Sequence, residues 1–322
     1  MVKKKVELTA VQAVGQWIRH CGLNLRDNTV AGYEVIGRQF IAFIGPDRVM
    51  RTITAADIEE FLLAMRAEVV TPPGAAPRPP RKRSAKTLQN MHTGLGSLWT
   101  WSLKAGVVDE HVVQQVDRPT VTRKPVRPLT ADEAKRLIRA CETNVKGADR
   151  PTAVRDKMLI GLLLDACLRV TEAANLRLAD VKLARRGGEL YVRDGKGGKD
   201  RIAPLGRRSA AAIAAYLLTR PDAAPDEYLL INELRNHGQA MTRDTIGRLV
   251  SRIGKRAGVD VYPHLLRTTG ACMMVQNGAT AWELQRVMGH SEIMTTQRYV
   301  EAAQIDLAGT MARTSPMDNL RL

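Results

Sequence analysis

Cysteine is scarce and scattered. Cys21, Cys141, Cys167 and Cys272 are the four in 322 residues, and no two form a CxxC pair, which speaks against a thiolate metal site or a dithiol redox motif. Cys167 and Cys272 lie in apolar helical context and read as small core residues. Long hydrophobic runs are missing as well. No stretch approaches the roughly 18 apolar residues that a membrane-spanning helix needs, and "MVKKKVELTA" lacks the apolar core of a signal peptide. Internal repeats and the GxxxxGK[ST] phosphate loop are also absent. These absences point to a soluble, reduced, cytoplasmic protein with no membrane partner.

Acidic charge is in deficit. Lys and Arg number 49 against 33 Asp and Glu, for a net charge of +16 and an isoelectric point near 10.1. Residues 1–125 carry 18 basic and 11 acidic groups and residues 126–322 carry 31 and 22, so the excess belongs to the whole chain and not to a tail. A basic surface of that extent suits a long polyanion, because each neutralised phosphate releases counterions. A merely soluble cationic protein is the plainer alternative.

Apolar periodicity predicts four helices in the first 105 or so residues. The first opens at Thr9 and places Val11, Val14, Trp17 and Ile18 on one face; the second carries Val30, Tyr33, Ile36, Phe40 and Ile44. "TAAD" at 54–57 is a capping box before Ile58, Phe61, Leu62 and Met65, and the fourth helix carries Leu88, Met91, Leu95, Leu98 and Trp99. Between the third and fourth lies "TPPGAAPRPPRKRSAK", a proline-rich tether with five basic groups and no acid, abutting a helix N-terminus where phosphate contact is favoured. "DRPTVTRKPVRP" at 117–128 has three prolines and four basic groups, and is read as an interdomain linker. "TADE" then caps the first helix of a mainly helical second domain, interrupted at 188–205 by "GELYVRDGKGGKDRIAPL", which alternates like two strands around a Gly-rich turn.

Four dispersed pieces of the second domain carry chemistry. "CLRVTEAANLRL" supplies Arg169 and Glu172, three apart and so on one helical face; "DGKGGKDR" puts Lys196 at a hairpin tip; "YPHLLRTT" supplies His264 and Arg267, again three apart; "MGHSEIMTTQRY" supplies His290 and Tyr299. Taken singly, each has an ordinary use. Arg169 and Glu172 suit a surface ion pair, Lys196 a turn, and Tyr299 a helix surface or core. His264 and His290 lack a carboxylate or cysteine at ligand spacing, so no metal is expected. His290 and Tyr299 stand nine residues apart, which at about 100° per residue puts them on opposite faces of any continuous helix. To share a site they need a chain break. Gly289 can end "TAWELQRVM", itself opened by the "TAWE" capping box, and Ser291, Thr295 or Thr296 can cap a new start.

Taken in order, R-x-x-E, GKG in a hairpin, H-x-x-R, G-H and a tyrosine nine residues on, the chain resembles the tyrosine recombinase (phage integrase) family over nearly its whole length. "NTVAGYEVIGRQFIAFIG" and "SAKTLQNMHTGLGSLWTWSLKAGVV" look like that family's N-terminal core-binding helices, and "LTADEAKRLI" like the start of its catalytic domain. The resemblance implies a mainly α fold with a small β-hairpin or sheet, built as a two-domain DNA clamp. A four-helix, SAM-like core-binding domain would span 1–116, a linker 117–128 and the catalytic domain 129–322.

The resemblance also assigns roles. Arg169, Lys196, His264, Arg267 and His290 would be active-site groups, Tyr299 the nucleophile, and Glu172 a supporting residue that orients the arginine. Double-stranded DNA with inverted-repeat core sites is the implied substrate. A homotetramer would act through a Holliday junction, aided by an accessory directionality factor, with no cofactor, metal or ATP. Arg83, Lys86, Arg201 and Arg243 are the candidate DNA contacts, Arg243 because it opens the basic helix "TRDTIGRLVSRIGKR". The tail "AAQIDLAGTMARTSPMDNLRL" is expected to dock on a neighbouring subunit. Three departures stand out: Leu265 and Thr268 occupy places that in the family often hold an acid and a histidine, and "QQVDRP" replaces a common Asn-Pro.

Two other activities are open at this point. A type IB topoisomerase uses the same chemistry on one duplex, and a non-catalytic DNA-binding regulator keeps the scaffold. The regulator's mark would be loss of Tyr299 or an arginine, and neither is lost. The helices begin almost at once, leaving no room for a separate arm-binding domain. That suggests a simple recombinase, serving mobile-element integration or, as in the Xer proteins, resolution of chromosome dimers.

Overall fold

The computed structural model describes residues 6–71, 79–122, 126–142, 151–193, 200–232, 239–290, 292–303 and 307–319. The chain forms two compact units, residues 1–124 and 125–322, dividing within the proline- and arginine-rich stretch at 117–128.

The N-terminal unit contains helices α1 (Ala10–Asn24), α2 (Asp27–Ile44), α3 (Ala55–Ala67) and α4 (Ala85–Ala105). Capping matches the sequence cues. Thr54 accepts from the Asp57 N–H while Asp57 accepts from the Thr54 N–H, satisfying two otherwise orphaned donors of α3. The core is aromatic at its centre, where the ring of Phe40 meets Phe61 at 5.4 Å and Trp99 at 5.7 Å, both edge to face. The face of α1 is turned relative to the sequence reading. Val11 points outward, and Ala10, Ala13, Val14, Trp17 and Cys21 are buried. The cause is the entry of the chain: the Ala10 N–H donates to the Arg48 carbonyl at 2.7 Å, which docks α1 on its small alanines. Strands β1 (Val69–Val70) and β2 (Arg81–Lys82) pair antiparallel and draw the ends of the proline-rich tether together.

The C-terminal unit is built from α5 (Ala131–Glu142), α6 (Pro151–Leu164) and α7 (Val170–Asn175), then β3 (Val181–Ala184), β4 (Gly187–Val192) and β5 (Arg201–Leu205), then α8 (Arg207–Leu217), α9 (Arg243–Ala257), α10 (Pro263–Gln276), α11 (Ala281–Met288), α12 (Ile293–Ala302), α13 (Leu307–Thr314) and α14 (Pro316–Asn319). The three strands form an antiparallel sheet in the order β3-β4-β5. The sequence anticipated β4 and β5. It did not announce β3, whose four residues present a mostly exposed face with no alternation. The main core gathers Leu159, Leu163, Leu190, Tyr216, Val250 and Leu266 from helices and sheet alike.

A smaller apolar cluster, Cys167, Ala271, Cys272, Val275, Leu284, Met288, Tyr299 and Ala303, joins α10, α11 and α12 to the chain just after α6. It depends on Gly270. A Cβ there would lie 1.8 Å from the Leu164 carbonyl oxygen, so glycine alone lets α10 approach the end of α6 this closely. Cys167 adopts φ 48°, an uncommon left-handed conformation for a non-glycine residue.

Candidate active site

The site grows from the start of α7. Arg169 is its N-cap, and its backbone N–H donates to Glu172 Oε2 at 2.8 Å while its Nη1 donates to Oε1 at 2.6 Å. The same carboxylate receives a second guanidinium in fork geometry: Arg201, on β5, donates from Nη1 and Nη2 to the two oxygens, each at 2.9 Å. Arg267, on α10, approaches with Nη1 at 3.8 Å from Oε2. One buried carboxylate thus gathers three guanidiniums, which leaves two positive charges uncompensated within the cluster. Burial alone would raise the Glu172 pKa, but the hydrogen bonds and charge of Arg201, with those of Arg169, bring it down to about 2.

Arg267 is 2% exposed, and backbone carbonyls fix its position. Nη1 donates to the Cys167 carbonyl, which the left-handed turn at Cys167 presents, and Nη2 donates to the Met288 carbonyl at 2.9 Å. Burial first, and then the charge of Arg169, lower its pKa to about 10, so it remains protonated at neutral pH. Nη2 also lies 3.1 Å from His290 Nε2. A guanidinium can only donate, so Nε2 is the acceptor; Nδ1 then carries the proton and donates to Thr296 Oγ1 at 2.9 Å.

The predicted break between His290 and Tyr299 is present. The "TAWE" capping box opens α11, with Thr280 and Glu283 exchanging hydrogen bonds, and Gly289 closes it at φ 63°. The glycine has a second use: a Cβ there would sit 2.5 Å from Arg201 Cδ, and Arg201 Nε donates to the Val287 carbonyl at 3.3 Å. The next helix is not capped as expected. The N-cap of α12 is Glu292, Thr295 and Thr296 lie inside the helix, and Ser291 falls outside the described residues. Thr296 is used differently, since its hydroxyl is the acceptor for His290. After the break, the rings of His290 and Tyr299 lie nearly parallel with centroids 5.8 Å apart. Tyr299 is 8% exposed, rooted in the smaller cluster.

His264 stands on the exposed side of the first turn of α10. Partial burial, then the charges of Arg267 and Arg169, hold its pKa below the usual histidine value, so its neutral, proton-accepting form is favoured. Leu265 packs into the core, and Thr268 donates to the His264 carbonyl at 2.9 Å, so a local bond within α10 steadies this turn. Lys196 lies outside the described residues.

The four residues expected at DNA stand in different surroundings. Arg201 is drawn into the site by Glu172, its side chain only 11% exposed. Arg83 pairs with Glu68 at 2.6 Å, Lys86 donates to Gln89 at 2.9 Å, and Arg243 is exposed beside Asp244 at 3.4 Å. Arg201 is the site residue whose place sequence reasoning missed. Its pairing with Glu172 spans 29 positions, beyond any helical spacing rule.

Fixed positive charge facing one locus, beside a base and a phenol, is suited to an anion whose charge grows during reaction, as that of a phosphodiester does. The comparisons agree with this class. The phage integrase family matches over residues 127–305. Tyrosine recombinase XerA of Thermococcus kodakarensis is 37% identical over 196 residues, covering 61% of this chain and 64% of that protein. Tyrosine recombinase XerD of Listeria monocytogenes is 26% identical over 303 residues, covering 91% and 94%. Among solved structures, the XerH site-specific recombinase bound to palindromic difH substrate, in a post-cleavage complex, superposes with a TM-score of 0.73 at 17% identity over 96% of each chain. The chain belongs to the phage integrase family and is a tyrosine recombinase, an enzyme of site-specific DNA recombination.

Proposed function

We propose that Tyr299 is the nucleophile of a cleavage and rejoining cycle on double-stranded DNA, acting from the constellation of Arg169, His264, Arg267 and His290 together with Lys196. The observation that carries this reading is a run of contacts across three separate stretches of chain: Arg169 and Arg267 meet at the buried Glu172, His290 lies against Arg267, and Tyr299 lies beside His290.

In this reading the Tyr299 phenol oxygen attacks phosphorus in line, forming the P–O bond to tyrosine as the bond to the 5′-oxygen breaks. A free phenol with pKa near 10 is mostly protonated at neutral pH, so His264 takes its proton as the bond forms. The departing 5′-oxygen takes a proton from Lys196. Arg169 and Arg267 clamp the non-bridging oxygens with charge that persists at any working pH, which is the work divalent ions do in many nucleases. A phosphate oxygen arriving at Arg267 Nη2 displaces His290 Nε2 from that donor, and the freed Nε2, on taking up a proton from solvent, donates to the phosphate while Nδ1 stays on Thr296. The resulting 3′-phosphotyrosine conserves the diester energy, so a 5′-hydroxyl rejoins the strand without a nucleotide cofactor.

By extension from the family, two duplexes and four copies of the chain exchange strands stepwise through a Holliday junction at inverted-repeat core sites, in a nucleoid-associated cytoplasmic setting and with an accessory directionality factor. The core-binding domain at 1–116 and the catalytic domain from 129 each contribute contacts to the DNA. Integration of a mobile element is the role we favour. Resolution of chromosome dimers is a second reading, favoured by the near full-length match to a XerD protein.

The test is to mix the protein with sheared genomic DNA, denature, and recover protein-linked fragments. We expect adducts from the natural chain, none from Tyr299→Phe, and undiminished yield in EDTA. Adducts that survive Tyr299→Phe, or that vanish with EDTA, would overturn the mechanism. Sequencing the captured ends also separates the two roles, since integration sites recur at mobile-element boundaries and dimer-resolution sites at one chromosomal locus.

A further inference from the structure

We infer that Arg201 is a positioning residue of the reaction centre, which neutralises Glu172 so that Arg169 and Arg267 remain available to a phosphate. The inference rests on the recombinase reading above.

Glu172 sets a problem for a site that works by positive charge. A buried carboxylate 2.6 Å from Arg169 and 3.8 Å from Arg267 competes with the phosphate for both guanidiniums. Its orienting value comes with an electrostatic cost, and a carboxylate held in the low-dielectric interior exerts that cost strongly. Arg201 offsets it. Its two terminal nitrogens take one carboxylate oxygen each at 2.9 Å, the geometry in which a planar guanidinium matches a carboxylate best. With Arg201 opposite Glu172, the charges of Arg169 and Arg267 are left over.

The third nitrogen of Arg201 extends the effect. Nε donates to the Val287 carbonyl at 3.3 Å, and the aliphatic stem lies against Gly289, where a Cβ would be 2.5 Å from Cδ. Arg201 therefore ties together β5, the N-terminal turn of α7 that carries Arg169, and the break that turns the chain from α11 into His290. Its side chain is only 11% exposed, and each of its three guanidinium nitrogens donates to a partner within the protein. That setting separates it from Arg243, an exposed arginine beside Asp244.

The experiment uses the full chain as wild type, Arg201→Gln, Arg201→Lys, Glu172→Gln and the Glu172→Gln/Arg201→Gln double variant. Two quantities are read: the rate of Tyr299-dependent adduct formation on sheared genomic DNA, and the salt dependence of binding to a random-sequence duplex. Arg201→Gln should slow adduct formation by about 100-fold, the scale of losing one preorganised electrostatic group. Arg201→Lys should fall between, because an ammonium keeps the charge without the fork. Removing Glu172 from the Arg201→Gln chain should restore at least about tenfold of the loss, a coupling that independent sites do not show. The salt slope should be unchanged. A slope reduced by about one, the signature of a lost phosphate contact, with no recovery in the double variant, would make Arg201 a DNA contact and overturn the inference. An unchanged adduct rate in Arg201→Gln would overturn it too.

If Arg201→Gln does not fold, the comparison passes to Arg201→Lys and Glu172→Gln/Arg201→Lys, where rescue supports the inference and its absence refutes it. A wild-type chain that forms no Tyr299-dependent adduct fails the recombinase reading itself, a result distinct from every outcome above.

Discussion

The two units spend their interiors differently. Among the described residues of the N-terminal unit, Ser102 is the one buried polar side chain, and the core is tryptophan, phenylalanine and aliphatic groups. The C-terminal unit buries Arg155, Asp156, Glu172, Asp180, Ser209, Arg267, Thr268, Thr269 and Thr296. Burying charge costs stability unless each group is paired, whereas well-packed apolar side chains stabilise without conditions. Some of these polar groups hold structure, as Arg155 does by bonding both Asp156 and the Ile231 carbonyl. Glu172, Arg267 and Thr296 surround the proposed reaction centre. The difference teaches that one unit is optimised as a scaffold, while the other accepts electrostatic strain to keep positive charge aimed at one place.

Glycine should separate them first. In the C-terminal unit, Gly270→Ala forces a Cβ to 1.8 Å from the Leu164 carbonyl oxygen. We expect a loss of about 3 kcal/mol and a melting temperature lower by roughly 10 °C, measured by calorimetry. In the N-terminal unit, Gly96→Ala meets open space within α4 and should stabilise by about 0.5–1 kcal/mol. A neutral Gly270→Ala would mean that the close approach of α10 to α6 is not required.

Acid should separate them next. The Glu172 pKa falls from 4.5 to about 2 on folding. A lowered carboxylate pKa contributes stability that is present above the unfolded value and lost as pH falls toward the folded one. We expect the wild type to exceed Glu172→Gln by at most about 3 kcal/mol at pH 7, with the gap closing between pH 4.5 and about 2. Urea denaturation at stepped pH measures it, and a gap constant over that window would contradict the charge account.

The smallest effect is a single hydroxyl. Thr296→Val removes the acceptor at 2.9 Å that orients His290. Adduct formation should slow by about tenfold, the scale of one neutral hydrogen bond, with folding and DNA binding unchanged. An unaltered rate would show that His290 is oriented by Arg267 alone.

Legibility in the sequence followed the same division. Apolar spacing in "NTVAGYEVIGRQFIAFI" and in the fourth helix placed Phe40, Leu95 and Trp99 inside, because one stripe faces one core. Capping boxes at Thr54, Thr130 and Thr280 marked helix starts, because their partners are three residues away. The site was legible only as an ordered set of weak signs. Arg169 and Glu172 had local spacing, but the second guanidinium on Glu172 comes from β5, and Arg267 is held by the carbonyls of Cys167 and Met288. Backbone carbonyls carry no sequence signal. Thr296 suits a helix cap by sequence and is instead the partner of His290, since a threonine has the same appearance in either use.

The proposed chemistry is that of a phenol acting at phosphorus beside paired guanidiniums, and the bond it makes can be identified directly. Digesting the trapped adduct with protease and nuclease, then fragmenting the linked peptide by mass spectrometry, should locate a nucleotide on Tyr299 through its 3′-phosphate. A 5′-linked nucleotide, or attachment to any other side chain, would contradict it.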